Sequence, residues 1–186
     1  MRQSHYYHGL LGTPTGSFKI VEFSDYQCPY CAAVDPILAG FVAHHPDDAA
    51  VYRYDMPLKA IHRYAYAAAV AANCAQAEGV RFQYQSLLFQ HQKELAAIDW
   101  VSLATQSGVT NTDSFARCVQ NDAQRDHIQG DMEKAQSVGV KGTPTFIVNG
   151  TLLSGDLSDS RLERLYAKAQ RSRKGFLGHL VSFFER

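Results

Sequence analysis

Four residues, Cys28-Pro29-Tyr30-Cys31, constrain what this chain can fold into more than any other stretch. The alternating apolar run Phe18 to Phe23 before them predicts a β-strand, and Ala32, Ala33, Val34, Ile37, Leu38 and Phe41 after them predict a helix. Pro36 should bend that helix, because a proline removes one hydrogen bond and crowds the preceding turn. A cysteine at a helix N-terminus meets unpaired amide hydrogens and the positive end of the helix dipole, which favour its anion. Only the thiolate attacks a disulfide, so Cys28 is the expected nucleophile. Cys31, one turn along the same face, is placed to resolve a mixed disulfide. Half a metal site and two unrelated core cysteines are the competing readings. Zinc would want two further ligands, and Cys74 and Cys118 stand singly without paired spacing.

The chain has 186 residues, enough for one substantial core or for a small domain carrying a sizeable insertion. Lys plus Arg equals Asp plus Glu at 18 each, so no strong field recruits nucleic acid or an anionic membrane. No stretch approaches the roughly 20 apolar residues of a membrane span. The stretch Met1 to His8 lacks an apolar signal core, which leaves a cytoplasmic protein or a mature exported domain. Cysteine usage favours the second, because a bridge between Cys74 and Cys118 would imply an oxidising compartment.

Gly9 to Gly16 reads as a turn-rich lead-in without regular structure. His44 and His45 fall in a polar turn as surface residues, and Ala49 to Tyr54 reads as a second strand. From Ile61 the periodicity is helical to near Gly79; further helices are expected over Phe82 to Leu95, Ile98 to Thr105, from Thr112 through Cys118, and from about Asp122 to Val138. Pro144 to Val148 is strand-like, Asn149-Gly150 is a hairpin turn, and a serine at 158 or 160 caps a last helix. The pattern is that of an α/β fold with an inserted all-helical domain. Its first part covers residues 9–58, the insertion 59–138, the second part 139–172, and a basic and apolar tail 173–186. That tail, with Phe176, Leu177, Leu180 and Val181, is expected to pack back on its own domain; a dimer or membrane contact is the alternative.

Glu22-Phe23 ahead of Cys28-Pro29-Tyr30-Cys31, Pro36, the helical insertion and Val140-Lys141-Gly142-Thr143-Pro144-Thr145-Phe146 together resemble the DsbA-like thiol-disulfide oxidoreductases of the thioredoxin fold superfamily. The resemblance runs from about residue 9 to residue 172 and implies a thioredoxin-like fold. It implies a cis bond before Pro144, with Thr143 pairing to an extended substrate beside Pro29 and Tyr30. It implies a buried Glu22 that shuttles a proton for Cys31, a structural disulfide between Cys74 and Cys118, and a place for Lys59, His62 and Arg63 near the active-site groove. The function it implies is a monomeric dithiol oxidase outside the cytoplasm, without cofactor or metal, acting on cysteine-containing proteins. A DsbB-like or VKOR-like membrane partner would reoxidise it. A reductase or isomerase, or a non-catalytic binding or chaperone protein, is the alternative. Tyr30 departs from the histidine that strongly oxidising members usually carry there.

Overall fold

The computed structural model describes residues 9–155 and 157–184, the last twelve of these by their backbone alone. Five strands form one sheet: β1 (Leu10–Gly12), β2 (Phe18–Ser24), β3 (Ala49–Asp55), β4 (Thr145–Val148) and β5 (Thr151–Ser154), in spatial order β1-β3-β2-β4-β5. β2 and β3 run parallel, joined by α1 (Pro29–His44), while β4 is antiparallel to β2. The start of β4 therefore lies at the same end of the sheet as the exits of β2 and β3.

Alternation decides which face each side chain takes. Phe18, Ile20, Val51 and Phe146 pack against Val34, Leu38 and Phe41 of α1 and Leu162 of α7 (Asp159–Phe184). On the other face Phe23 meets Ala135 of α6 (Arg125–Ser137) and Val140. The remaining helices, α2 (Ala65–Ala75), α3 (Arg81–Gln90), α4 (Trp100–Ser107) and α5 (Thr112–Gln120), gather around Ala68, Ala72, Tyr84, Leu88, Leu103 and Phe115, and Cys28 and Cys31 belong to the same buried cluster. The redox pair thus lies on the seam between the sheet and the helical block.

Local chemistry fixes several boundaries. Pro29 opens α1 at a position where its missing N–H costs nothing. Asp99 caps α4 and Asn111 caps α5 through their side chains. Three expectations change. Leu10–Gly12 is a strand, because its backbone pairs with Ala50 to Tyr52 at an edge where composition offers no signal. The helix expected from Ile61 begins at Ala65, since the preceding loop is pinned by side chains from the redox turn. The helix expected over Phe82 to Leu95 ends at Gln90 and gives way to a short 3-10 turn, Gln92–Glu94. α7 continues as helix through the segment expected to be a tail; what its side chains from 173 onward pack against lies outside the described residues.

Candidate active site

β2 ends at Ser24, and the turn Asp25 to Gln27 aims the chain at the head of α1. The Asp25 carboxylate is the organiser. Its Oδ1 accepts the Gln27 N–H at 2.6 Å, its Oδ2 accepts the Leu58 N–H at 2.7 Å and lies 2.9 Å from His62 Nδ1, and its backbone carbonyl accepts the Cys28 N–H at 3.0 Å. One buried aspartate therefore joins the redox turn to the loop leaving β3. Gln92 Nε2 closes the other side, donating to the Tyr26 and Cys28 carbonyls at 2.8 and 2.9 Å.

Cys28 is the N-cap of α1, and both thiols are free. Cys28 is 4% exposed and Cys31 is fully buried. Four interactions pull the Cys28 thiol down to about 5: foremost the Cys31 thiol, then the Thr143 side chain and the backbone N–H groups of Cys31 and Tyr30, against a burial that works the other way. Burial, the Cys28 sulfur and the nearby Glu22 charge push Cys31 far up. The arrangement favours the anion at Cys28 and the protonated thiol at Cys31.

Thr143-Pro144 is a cis peptide, and the Thr143 carbonyl lies 3.2 Å from Cys28 Sγ. Pro29 and Tyr30 are exposed beside it, Tyr30 at 70%. Glu22 is fully buried and directly opposite Arg53 in the β2–β3 register. Arg53 Nε donates to Glu22 Oε2 at 2.6 Å, and its NH1 donates to Asp35 Oδ1 at 2.8 Å and Gln85 Oε1 at 3.1 Å. Burial raises the proton affinity of Glu22 above the usual carboxylate range, with Asp35 adding to it, although Arg53 opposes both.

Sequence reading missed Arg53, Asp35 and Gln92. The first two carried a signal: Arg53 shares its side of β3 with Val51, two residues away, and Asp35 lies one turn beyond Cys31 on α1. Gln92 carried none. Of the basic trio, His62 joins the Asp25 cluster, whereas Lys59 sits 3.8 Å over the Tyr66 ring and Arg63 over Tyr64. His45 is not a free turn residue; it stacks on Tyr166 and pairs with Glu163. Cys74 and Cys118 are joined by a disulfide tying α2 to α5. Among the described residues no group of three or more His, Cys, Asp or Glu is placed to hold a metal ion.

A thioredoxin family model matches residues 6–167. The chain is 33% identical over 141 residues to the Na(+)/H(+) antiporter NhaA 3 of Salinispora tropica; the match covers 76% of this chain and 21% of the antiporter. It thus spans about a fifth of the length of the curated relatives it matches. Among solved structures it is similar to a thioredoxin-like oxidoreductase from Silicibacter pomeroyi, with 26% identity, a TM-score of 0.72, and coverage of 87% of this chain and 91% of that one. Chlamydia trachomatis DsbA gives a TM-score of 0.77 at 16% identity, covering 94% and 95%. A periplasmic thioredoxin-like protein from Salmonella enterica serovar Typhimurium gives 0.63 at 25% identity, covering 86% of this chain and 87% of that one.

Proposed function

The chain belongs to the thioredoxin family and has the DsbA-like fold, and on that premise we propose that it is a thiol-disulfide oxidoreductase working as a dithiol oxidase on polypeptides outside the cytoplasm. The observation that carries this reading is the placement of Cys28 at the N-cap of α1, with Cys31 one turn behind it and the cis Thr143-Pro144 peptide against its sulfur, a setting that lowers its thiol to about 5. A substrate thiolate attacks Cys28 Sγ of the Cys28–Cys31 disulfide, and Cys31 leaves and takes a proton from Glu22. A second substrate thiolate then attacks the substrate sulfur of the mixed disulfide. Cys28 departs as a stabilised anion, the substrate becomes a disulfide, and the pair is left reduced. Thr143, beside the cis proline, offers its backbone to an extended substrate segment, and Pro29 and Tyr30 flank the approach.

The lowered Cys28 thiol also supports the oxidising direction. Whatever stabilises the reduced form makes the disulfide a stronger oxidant. At neutral pH, a thiol that ionises near 5 instead of near 9 favours the reduced form by about two powers of ten, on the order of 60 mV. The Cys74–Cys118 bridge supports an oxidising compartment, as does the periplasmic relative. A membrane-bound partner of DsbB-like or VKOR-like type returns the pair to the disulfide. The likeness to the antiporters covers only the shared stretch, and ion transport is not carried over with it.

Equilibration with glutathione tests the direction. A potential at or above about −200 mV is expected; one near the −270 mV of thioredoxin would make the protein a reductase instead.

A further inference from the structure

The side chain of Gln92 reaches across from the helical block to the main chain of the turn that delivers Cys28. Its Nε2 donates to the Tyr26 carbonyl at 2.8 Å and to the Cys28 carbonyl at 2.9 Å. Two carbonyl oxygens can be met only by the NH2 end of the amide, so its partners fix which way the carboxamide faces. The Cys28 carbonyl also receives the N–H groups of Cys31 and Ala32 at 3.1 and 3.2 Å, which makes it the first acceptor of α1. Tyr26 and Cys28 are both buried, so a carbonyl that lost the Gln92 donor would find little water to replace it.

The position of Gln92 is itself built into the fold. It starts the short 3-10 turn after α3, and α3 is fastened to the redox turn and to α1. The Phe89 ring lies 5.2 Å from that of Tyr26, Ser86 Oγ donates to Asp35 Oδ2 at 2.9 Å, and Gln85 accepts from Arg53 at 3.1 Å. Leu95, buried just beyond the 3-10 turn, anchors its far end. Donors held in this way act without reorganisation when charge develops. Carbonyl oxygens carry partial negative charge, and these two belong to the turn whose sulfur must hold an anion. A donor on each draws that charge off and keeps both C=O bonds turned toward the helical block, which leaves the N–H groups of Tyr30 and Cys31 to face the sulfur.

We propose that Gln92 is a positioning residue for thiol exchange: its two N–H groups hold the Tyr26 and Cys28 carbonyls toward the helical block, so that the head of α1 stays set to receive the charge of the Cys28 sulfur when it leaves the mixed disulfide. The inference rests on the reading of Cys28 as the exchanging sulfur. Gln92 acts through the main chain of the turn and gives the helical block a part in tuning a redox pair that the sheet and α1 supply.

The test titrates the reduced full chain by the ultraviolet absorbance of the thiolate in wild type, Gln92→Met and Gln92→Asn. Methionine matches glutamine in length and has no donor; asparagine keeps the carboxamide but is one methylene short of spanning both carbonyls. Gln92 is only partly buried, which limits the packing cost of either change. In Gln92→Met the Cys28 thiol is expected to ionise about one pH unit higher than in wild type, a tenfold loss of thiolate at a given pH. The potential against glutathione is expected to become more negative by about 30 mV, the same tenfold in the exchange equilibrium. Gln92→Asn should fall between the two and carries the test if the methionine variant does not fold. A role in packing alone would lower stability to urea and leave ionisation and potential as in wild type. That result, or variants indistinguishable from wild type in all three measurements, would overturn the inference and leave thiol exchange standing. Wild-type Cys28 ionising near the ordinary thiol value of 9.0 would instead remove the reading of Cys28 underneath.

Discussion

A carboxyl group beneath a disulfide is useful only if it still exchanges a proton near neutral pH, and the surroundings of Glu22 bear on that. Fully buried beside a single guanidinium that Asp35 shares, it has one oxygen on Arg53 Nε, and Ser24 is its other polar neighbour. Burial, with the excess negative charge that two carboxylates leave around one cation, raises the proton affinity of Glu22. Glu22→Gln keeps the shape and the Arg53–Asp35 pair but cannot carry a proton. It is expected to slow peptide oxidation on the order of a hundredfold, the low end for a positioned proton carrier, as read by quenched alkylation. Stability should move the opposite way. A carboxyl whose folded proton affinity is raised contributes stability that is fully present below its ordinary value of 4.5 and is lost as pH rises through the folded value. The variant never ionises, so urea titrations should match wild type at pH 4, with the variant the more stable by a widening margin as pH rises. A margin that does not change with pH would contradict the assignment.

The elements show what the chain could and could not announce about itself. β2, α1 and β4 were legible because alternation, a cysteine pair and a proline each carry a local signal, and the Asn149-Gly150 turn fixed the final hairpin. β1 was not legible: three residues pair at an edge only because β3 is already there. The buried charges were half legible. Arg53 occupies a core position by alternation, yet nothing local says that Glu22 lies opposite it, since that depends on the register of two strands 31 residues apart. The pairing of Cys74 with Cys118 depended on resemblance, because spacing alone does not bring α2 against α5. The bond closes a loop of sequence separation 44, for which chain entropy gives about 4 kcal/mol as an upper guide. Replacing both cysteines by alanine is expected to lower stability to urea by about 2–4 kcal/mol and to leave the peptide oxidation rate within twofold, since neither sulfur is part of the redox turn. A large fall in rate with stability intact would mean that this bridge takes part in the chemistry.

For the whole molecule, the held anion ties redox state to folding. With the sheet, the helical block and both carboxylates around Arg53 taken as common to the oxidised and reduced forms, those groups titrate alike to first order and cancel when the two stabilities are subtracted. What remains is a pH-independent contribution from closing the short Cys28–Cys31 ring and a second from ionisation of Cys28, which only the reduced form possesses. A thiol depressed from 9.0 to about 5 contributes stability that is fully present above its unfolded value and disappears as pH falls through the folded one. At pH 7 the folded thiol favours its anion by about a hundredfold while the unfolded thiol still holds its proton, a difference of about 2.7 kcal/mol, and below pH 5 almost nothing of it remains. Cys31 adds nothing to the difference in this range, because it stays protonated whether the chain is folded or not. The stability of the reduced protein minus that of the oxidised protein should therefore rise by about 2.7 kcal/mol between pH 4 and pH 7, measured by paired urea titrations with and without reductant. Cys28→Ser has no thiolate to hold and forms no Cys28–Cys31 disulfide, so reduced wild type should gain the same rise over this variant when both are titrated in reductant. A difference that stays level across that interval would mean that Cys28 is not kept as an anion, and the case for an oxidase would lose its driving force.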